Sequence, residues 1–294
     1  MQPETKDPSP QVDIHFGDNL PILQKMESAS VDLVYIDPPF NSGKRQSLTP
    51  VKSIQDSTGG TQKGFGGKTY RNVKLGSRSF EDQFDDFLLF LEPRLEEAWR
   101  LLKPEGSLFL HLDYREVHYA KVLLDSIAGR ASFQNEIIWA YDYGGRSKKR
   151  WPTKHDTILF YAKDPKNYTF NFEEMDRIPY MAPGLVSPEK AARGKTPTDV
   201  WWHTIVPTNS AERTGYPTQK PLGILERLVK VHTQPGNLLL DFFAGSGTLG
   251  AAAWKHNRSA ILIDRNPEAI EVMLKRLAPA NPIVHGFSPQ PHCV

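Results

Sequence analysis

Residues 238–253, LLLDFFAGSGTLGAAA, are typical of a buried strand, a tight glycine turn and the start of a helix. Gly245 and Gly247 let the backbone come close to a ligand, and the following helix presents free N–H groups at its first turn. With Gly250 they satisfy the spacing GxGxxG, and Asp264 ends the next predicted strand. The pattern indicates a site for an adenosine-containing ligand, although a purely structural turn fits these glycines as well.

On both sides of this stretch, apolar runs alternate with amphipathic helical patterns. The runs are, in chain order, VDLVYI at 31–36, FLLFLEPRLEEAWRLL at 87–102, GSLFLHL at 106–112, HYAKVLLDSI at 118–127, NEIIWAY at 135–141, HDTILFYAK at 155–163, PLGILERLVKVH at 221–232, NLLLDFF at 237–243, GTLGAAAWK at 247–255, SAILID at 259–264 and PEAIEVMLKRL at 267–277. Strand and helix take turns, which predicts an α/β fold with a doubly wound, mostly parallel, Rossmann-like sheet and helices on both faces.

Composition narrows the class of protein. The length of 294 residues suits one α/β domain that carries insertions. Lys and Arg number 36 against 34 Asp and Glu, so the net charge of +2 does not identify a nucleic-acid binder and any basic surface must be local. The only cysteine, Cys293, excludes an intramolecular disulfide and a thiolate metal cluster, and we expect no metal site.

The start of the chain is not expected to be a secretion signal. The start, MQPETKDPSP, is polar and rich in proline, which predicts a disordered tail at 1–12 before a single domain at 13–294. No apolar run approaches the roughly 18 residues that suggest a membrane span. We therefore expect a cytoplasmic protein with no membrane partner.

Two segments break the alternation of strands and helices. Residues 41–79 contain eight basic residues and one acidic residue among many glycines, which predicts a flexible basic loop. Residues 142–216 include GGRSKKRWPTK and scattered prolines, with little periodicity apart from the strand at 155–163. Such long segments in a compact domain are usually functional or disordered, and a solvated linker is the plain alternative for 41–79.

A second motif, DPPF at 37–40, follows the apolar run 31–36. It places one carboxylate, that of Asp37, at the end of a predicted buried strand. Pro38 and Pro39 fix their own φ angles and exclude a helix, so the backbone after Asp37 is rigid. The structural alternative is a turn in which Asp37 caps a helix.

DPPF followed much later by DFFAGSGT resembles the amino-methyltransferases of DNA, in the permuted order in which the catalytic motif precedes the cofactor motif. The similarity covers nearly the whole chain from about residue 13. FGDNLPILQKMESASVDLVYIDPPFNSG at 16–43 is similar to the family's opening, HDTILFYAK to a mid-domain strand, and ERTGYPTQKPLGILERLV at 212–229 to the segment before the cofactor turn. The resemblance implies a catalytic domain that methylates an exocyclic amine of double-stranded DNA.

The expected cofactor is S-adenosylmethionine, which the form FAGSG with Asp241 and the strand end at Asp264 favour over a dinucleotide. The residues expected to bind it are Asp18, Asp37, Thr218, Gln219, Lys220, Pro221, Asp241, Phe243, Ala244, Gly245, Ser246, Gly247, Thr248 and Asp264. By resemblance Asp18 bonds the adenine ring and 218–221 lie against the methionine part, while Asp264 suits the ribose hydroxyls. A plain helix start is the alternative for YPTQKP.

The chemistry explains DPPF. The exocyclic amine of adenine or cytosine is a poor nucleophile because its lone pair is delocalised into the ring. Asp37 and the Pro38 carbonyl are expected to accept its two hydrogens, in bonds that strengthen as positive charge develops on nitrogen. Phe40 is expected to stack on a base flipped out of the duplex. We therefore predict Asp37, Pro38, Pro39 and Phe40 as the catalytic residues.

The two irregular segments are the expected DNA contacts. The basic loop 41–79, with Lys44 and Arg45, is expected to close over the flipped base and bind phosphates. Residues 142–216 are the predicted target-recognition insertion, with Arg146, Lys148, Lys149 and Arg150 as its DNA-binding residues. Trp201 and Trp202 of this insertion are also candidates for base recognition, and a core or dimer contact is the equally weighted alternative. A homodimer and a cognate restriction endonuclease are further partners that the resemblance offers.

Several functions compete with adenine methylation. In the family, Asp at the first position of DPPF is commoner with adenine, so the adenine 6-amino group is favoured by a small margin over the cytosine 4-amino group. Methylation at cytosine carbon 5 is excluded because it needs a cysteine thiolate, which a terminal Cys293 does not supply. An RNA or protein-glutamine methyltransferase, an NAD-linked oxidoreductase and a catalytically silent DNA-binding module are the more distant alternatives.

Overall fold

The computed structural model of the chain describes residues 9–39 and 87–288, together with the backbone of five strands between residues 44 and 82. The strands are β1 Val12–Phe16, β2 Val31–Ile36, β3 Lys44–Leu48, β4 Val51–Gln55, β5 Gln62–Lys63, β6 Thr69–Lys74, β7 Arg78–Asp82, β8 Leu102–Leu112, β9 Phe133–Ala140, β10 His155–Ala162, β11 Val200–Trp202, β12 Leu238–Asp241, β13 Ser259–Asp264 and β14 Ile283–His285. The helices are α1 Asn19–Leu23, α2 Phe87–Leu101, α3 Val117–Ala128, α4 Pro188–Arg193, α5 Leu222–His232, α6 Thr248–Lys255 and α7 Pro267–Arg276.

Nine of these strands form one open sheet in the order β11-β9-β10-β8-β2-β12-β13-β1-β14. Strand β10 is antiparallel to both β8 and β9, and the other six pairings are parallel. Strand β2 pairs with β8 on one side and with β12 on the other, so the strand order reverses there. Ligands of open α/β sheets bind at such a reversal, outside the carboxyl ends of the strands.

Helices cover both faces of the sheet. Along β2 the buried side chains alternate, since Leu33 and Tyr35 join the apolar cluster formed with α5, α6 and α7, whereas Val34 and Ile36 join the cluster formed with α2 and α3. A strand buried on both faces is continuously apolar, as the run at 31–36 is. The predicted doubly wound, mostly parallel sheet is confirmed.

The prediction of a loop at 41–79 is wrong where this segment forms strands. Strand β3 pairs with β7, and β4, β6 and β5 form a second small antiparallel sheet. Runs such as TYRNVK in β6 contain Thr, Tyr and Val, which favour extended backbone. The glycines around these short runs led to the prediction of a loop. The residues that link these strands lie outside the described residues, and so does the prediction that they are flexible. The same holds for Phe40 and for the side chains of Lys44 and Arg45.

Residues 142–216 contain α4 and β11 in addition to the predicted strand, which is β10. Strand β11 pairs with β9 at the edge of the sheet, where Trp201 packs against the core and Trp202 is exposed. The core alternative is therefore correct for Trp201. At the amino terminus, Val12 already belongs to β1, so the domain begins slightly before the predicted residue 13. No helix among the described residues is long and apolar enough to cross a membrane.

Candidate active site

Three carboxylates end neighbouring strands at one edge of the sheet. Asp37 follows β2, Asp241 is the last residue of β12, and Asp264 is the last residue of β13. Leu240 of β12 lies opposite Val34 of β2 in a parallel register, so the glycine turn and DPPF leave the sheet side by side. The topology thus brings together two motifs that lie far apart in the sequence.

Asp37 has two unlike carboxylate oxygens. Oδ2 accepts a hydrogen bond from Lys220 Nζ in an ion pair whose side chains are 15% and 11% exposed. Oδ1 is buried and accepts no hydrogen bond from any residue that the structure describes. A buried acceptor without a donor is costly, so this oxygen is suited to a donor that a ligand brings. Lys220, expected beside the cofactor, is here the partner of Asp37.

The glycine turn has the backbone that its sequence predicts. Gly245 and Gly247 have φ angles of +50° and +70°, in the left-handed region that favours glycine. A Cβ atom at Gly247 would lie 2.8 Å from Met273 Cγ, and one at Gly245 would lie 3.1 Å from the ring of Tyr216. Gly245 N donates to Asp264 Oδ2 over 2.8 Å, which fastens the turn to β13. Neither position has room for a side chain, so the turn requires glycine at both.

Burial disfavours the charged form of two carboxyls at this edge. Burial raises the pKa of Asp241 well above its usual range, although the carboxylate accepts a hydrogen bond from Phe243 N over 3.0 Å. Burial also raises the pKa of Asp264, against the opposing effect of the N–H groups of Asn266 and Gly245. Since low solvation penalises each of these anions, a cationic ligand bound beside them would lower their free energy.

The segment before α5 is tied together by Gln219. Its Oε1 accepts from Thr214 N over 2.7 Å and from Thr214 Oγ1 over 2.8 Å, and its Nε2 donates to Glu212 O over 2.7 Å. The predicted cofactor residue Gln219 therefore uses its amide to fold this segment. Thr218 is exposed, and Pro221 precedes the first residue of α5.

The hydroxyl of Thr248 connects the turn to its surroundings. Thr248 Oγ1 donates to Lys220 O over 3.3 Å and lies 3.1 Å from Ser246 Oγ. It accepts from Arg276 Nη1 over 2.8 Å, and the same nitrogen reaches Ser246 O over 3.2 Å. Arg276, which the sequence analysis missed, thus supports two predicted cofactor residues from α7.

A buried polar network lies next to Asp37 and was also missed. Tyr35 Oη lies 2.7 Å from His111 Nδ1, His111 Nε2 lies 3.3 Å from Asp156 Oδ2, and Tyr141 Oη donates to Asp156 Oδ1 over 3.1 Å. Burial, with Asp37 and Asp241 nearby, raises the pKa of Tyr35, so its hydroxyl keeps its proton. With Tyr35 Oη donating to Nδ1 of His111, the neutral imidazole carries its proton on Nε2 and can donate it to Asp156. The network joins β2, β8, β9 and β10 at the edge where Asp37 lies.

Arg94 of α2 is the third missed feature. It pairs with Asp18 over 2.9 Å and donates to Asn19 Oδ1 over 2.6 Å. One sequence signal pointed to it, because Arg94 stands on the face of α2 whose other members are apolar and buried. A buried charge on such a face requires polar partners.

Four of the predicted DNA-binding residues share one loop. Arg146, Lys148, Lys149 and Arg150 are exposed in the connection between β9 and β10. Strand β9 is antiparallel to β10, as β8 is, so β9 runs in the direction of β8 and β2 and this loop leaves the sheet at the edge of Asp37. The Arg150 guanidinium lies 6.0 Å from the ring centre of Tyr114, which follows β8, and Trp151 is 92% exposed.

Comparisons with known proteins identify the family of the chain. The family model described as DNA methylase matches residues 31–275. The Type II methyltransferase M.HpaI of Haemophilus parainfluenzae is 32% identical over 255 residues, which cover 87% of this chain and 70% of that protein. The DNA adenine methyltransferase YhdJ of Escherichia coli strain K12 is 30% identical over 272 residues, which cover 90% and 82%.

Solved structures share the fold. The M1.HpyAVI complex with S-adenosylmethionine has a TM-score of 0.58 at 20% identity, covering 91% of this chain and 99% of that chain. PvuII DNA methyltransferase, described as cytosine-N4-specific, has a TM-score of 0.61 at 15% identity, covering 91% and 86%. The family match decides against the oxidoreductase, the RNA and protein methyltransferases and the silent binding module. The chain belongs to the family of DNA N6-adenine and N4-cytosine methyltransferases, enzymes that use S-adenosylmethionine as the methyl donor.

Proposed function

We propose that this enzyme methylates the 6-amino group of adenine in double-stranded DNA and that Asp37 and Pro38 hold that amine. The observation that carries the proposal is the buried carboxylate of Asp37, with Oδ2 paired to Lys220 and Oδ1 without a described donor. An amino N–H is the kind of donor that Oδ1 lacks. The rigid Pro38 carbonyl next to it supplies a second acceptor.

Two acceptors on one amine change its reactivity. When Asp37 and the Pro38 carbonyl each accept one N–H, the nitrogen lone pair is held out of conjugation with the ring. Both bonds become stronger as the nitrogen gains positive charge, so they stabilise the transition state more than the bound base. The ion pair with Lys220 keeps the Asp37 carboxylate in one orientation during this change.

The donor side of the site consists of the glycine turn and the acidic strand ends. S-adenosylmethionine supplies a methyl group on a positively charged sulfur when it is bound. The glycine turn at 245–247 lies beside Asp241 and Asp264, whose charged forms burial disfavours and a bound cation would stabilise. We assign Asp264 to the ribose hydroxyls and Asp18 to the adenine ring of the cofactor.

Adenine is proposed as the acceptor on two grounds. The relative YhdJ, 30% identical, is named as a DNA adenine methyltransferase, and DPPF begins with Asp. The cytosine 4-amino group is the second candidate, which the similarity in fold to the cytosine-N4-specific PvuII enzyme supports. Both bases present the same pair of amino N–H groups, one to Asp37 and one to the Pro38 carbonyl.

The loop between β9 and β10 is the proposed DNA-binding surface of 142–216. Its exposed Arg146, Lys148, Lys149 and Arg150 are suited to phosphates, and its position places them at the edge that holds Asp37. The cations of 41–79, including Lys44 and Arg45, and Phe40 belong to the same proposal on sequence grounds. The name of the type II relatives supports a cognate restriction endonuclease, while a homodimer and a cytoplasmic setting stay predictions from the sequence.

Nucleoside analysis tests the acceptor directly. The chain is expressed in a host that lacks DNA methylation, and the digested DNA is examined by mass spectrometry for N6-methyladenine and N4-methylcytosine. N6-methyladenine alone is the expected result. N4-methylcytosine alone would replace adenine by cytosine, and neither base, with a folded protein that binds S-adenosylmethionine, would reject the proposal.

A further inference from the structure

Arg94 is a buried cation outside the residues that the reaction itself requires. Its side chain is 9% exposed and lies among the buried apolar residues of α2, such as Leu91 and Leu95. Burial of an unpaired guanidinium is strongly unfavourable, so the partners of Arg94 show what its charge does in the folded chain. Two of those partners, Asp18 and Asn19, lie at the start of α1, 76 and 75 residues earlier in the chain.

Each described contact of the guanidinium has good geometry. Nη2 donates to Asp18 Oδ1 over 2.9 Å, Nε donates to Asn19 Oδ1 over 2.6 Å, and Nη1 donates to Phe90 O over 2.7 Å. Asn19 Nδ2 in turn donates to Phe242 O over 2.7 Å. Arg94 therefore fixes the start of α1 and, through Asn19, its position relative to the backbone that enters the glycine turn.

These contacts orient the carboxylate of Asp18. Its Oδ1 accepts from both Leu20 N, over 3.1 Å, and Arg94 Nη2. Rotation of the carboxylate is therefore fixed by two donors on one oxygen. Oδ2 accepts no hydrogen bond from the residues that the structure describes, and the side chain is 56% exposed. The second oxygen is thus presented in a defined direction while it stays available to a ligand.

We propose that Arg94 is a positioning residue for recognition of the cofactor's adenine, acting through Asp18. Arg94 holds Asp18 so that Oδ2 accepts an N–H of the adenine 6-amino group. This inference rests on the assignment of Asp18 to the adenine ring in the proposed function. The preference of the site for a purine with a 6-amino group therefore depends on Arg94, which does not itself contact the cofactor.

The experiment compares two ligands that differ only at that position. Dissociation constants are measured by calorimetry for S-adenosylhomocysteine and for its 6-deamino analogue, whose purine carries a hydrogen in place of the 6-amino group and keeps N1 as an acceptor. The wild type is expected to prefer the adenosyl ligand by about tenfold or more, the effect of one hydrogen bond to a charged group. Arg94→Gln is expected to remove most of that preference, and Arg94→Lys to retain part of it.

Arg276→Gln is the control, since Arg276 is a half-buried arginine that supports the turn through Ser246 and Thr248 without a described contact to Asp18. It is expected to weaken both ligands equally and leave their ratio unchanged. If Arg94→Gln and Arg94→Lys also leave the ratio unchanged, Arg94 is only structural and the proposal is overturned.

A further variant separates this proposal from the proposed function. Asp18→Ala is expected to abolish the preference for the adenosyl ligand. If it does so while both Arg94 variants keep the preference, Asp18 recognises adenine without Arg94, which overturns the inference alone. If Asp18→Ala keeps the preference, the assignment of Asp18 fails and the inference fails with it, whereas DNA methylation by the wild type is measured independently.

Discussion

Asp37 offers one carboxylate oxygen to Lys220 and keeps the other buried without a described donor. Replacement by Ala removes the acceptor for the base while it leaves the glycine turn intact. We expect Asp37→Ala to abolish methyl transfer from tritiated S-adenosylmethionine to duplex DNA, with cofactor affinity within a few-fold of the wild type. A wild-type rate in this variant would remove Asp37 from the mechanism.

Lys220 tests whether the orientation of that carboxylate matters. Hydrogen bonds to charged groups contribute about 1.5–3 kcal/mol, so loss of this partner in Lys220→Met is expected to lower kcat by roughly 10- to 100-fold. Lys220→Arg keeps a cation near Oδ2 and is expected to lose less. If Lys220→Met weakens only S-adenosylmethionine binding and leaves kcat unchanged, Lys220 is a cofactor residue, as the sequence alone suggested.

At the residue scale, the sequence was informative where a motif carries its own chemistry. Asp37 and the glycines of 245–247 stand in short patterns whose backbone and charge are local properties. Arg94 and Tyr216 were not found, because their roles depend on partners that only the folded chain brings together: Arg94 reaches Asp18, 76 residues away, and Tyr216 lies over Gly245. Gln219 was found by its motif, but its amide folds its own segment.

At the scale of elements, the long apolar strands and amphipathic helices were predictable because their periodicity reflects burial on one or both faces. Strand β11 was not predictable, because its three residues, VWW, are too few to show a period and the strand is defined by its pairing with β9, which is distant in the sequence. The strands of 44–82 lie among glycines and cations, so their pattern carries little apolar signal. Sequence periodicity therefore located the sheet that positions the site and missed the elements added around it.

The glycine turn between β12 and α6 allows a controlled test of close approach. In Gly247→Ala the new Cβ would meet Met273 Cγ at 2.8 Å and the residue would keep a φ of +70°. In Gly236→Ala the φ of +84° is similar, but no atom lies within 4 Å of the new Cβ. Both variants are expected to lose about 1–2 kcal/mol of stability from the left-handed backbone.

Only Gly247→Ala is also expected to weaken S-adenosylmethionine binding, by tenfold or more, because the turn itself is distorted. Calorimetric titration and thermal unfolding of both variants measure the two effects separately. Equal cofactor affinity in the two variants would show that the turn does not approach the ligand closely.

The loop between β9 and β10 supports a prediction about DNA. Replacement of Lys148, Lys149 and Arg150 by Gln is expected to weaken duplex binding and to reduce the slope of log K against log salt by about 0.9 for each phosphate that the variant no longer neutralises. Cofactor affinity should not change. Lys166→Gln is the control, since Lys166 is an exposed cation beyond the other end of β10. An equal loss of DNA and cofactor binding in the triple variant would reject the assignment.

At the scale of the whole molecule, the edge that carries the charged residues is supported by an apolar core that includes a buried imidazole. His232, the last residue of α5, is 6% exposed and lies 4.9 Å from the ring of Phe109, 4.6 Å from that of Phe160 and 5.3 Å from that of Phe170. Burial lowers the pKa of His232 to about 3, against a small opposing effect of the Thr169 backbone. The folded protein therefore holds this imidazole neutral.

The sign of the pH dependence follows from the two pKa values. The unfolded chain binds a proton at His232 below about pH 6.5, whereas the folded chain does so only near pH 3. The contribution of His232 to stability is thus complete above pH 6.5 and is lost as the pH falls, at up to about 1.4 kcal/mol per pH unit.

His232→Phe fills the same aromatic cluster without a titratable group, and urea unfolding measures its free energy of unfolding between pH 5 and 7.5. Other histidines and carboxylates contribute to both proteins, so the difference between the two curves isolates His232. We expect the wild type to lose about 2 kcal/mol more than the variant between pH 6.5 and 5. Parallel curves would mean that the imidazole is solvated in the folded protein, and the packing of α5 against β8 and β10 would then be looser than the structure has it.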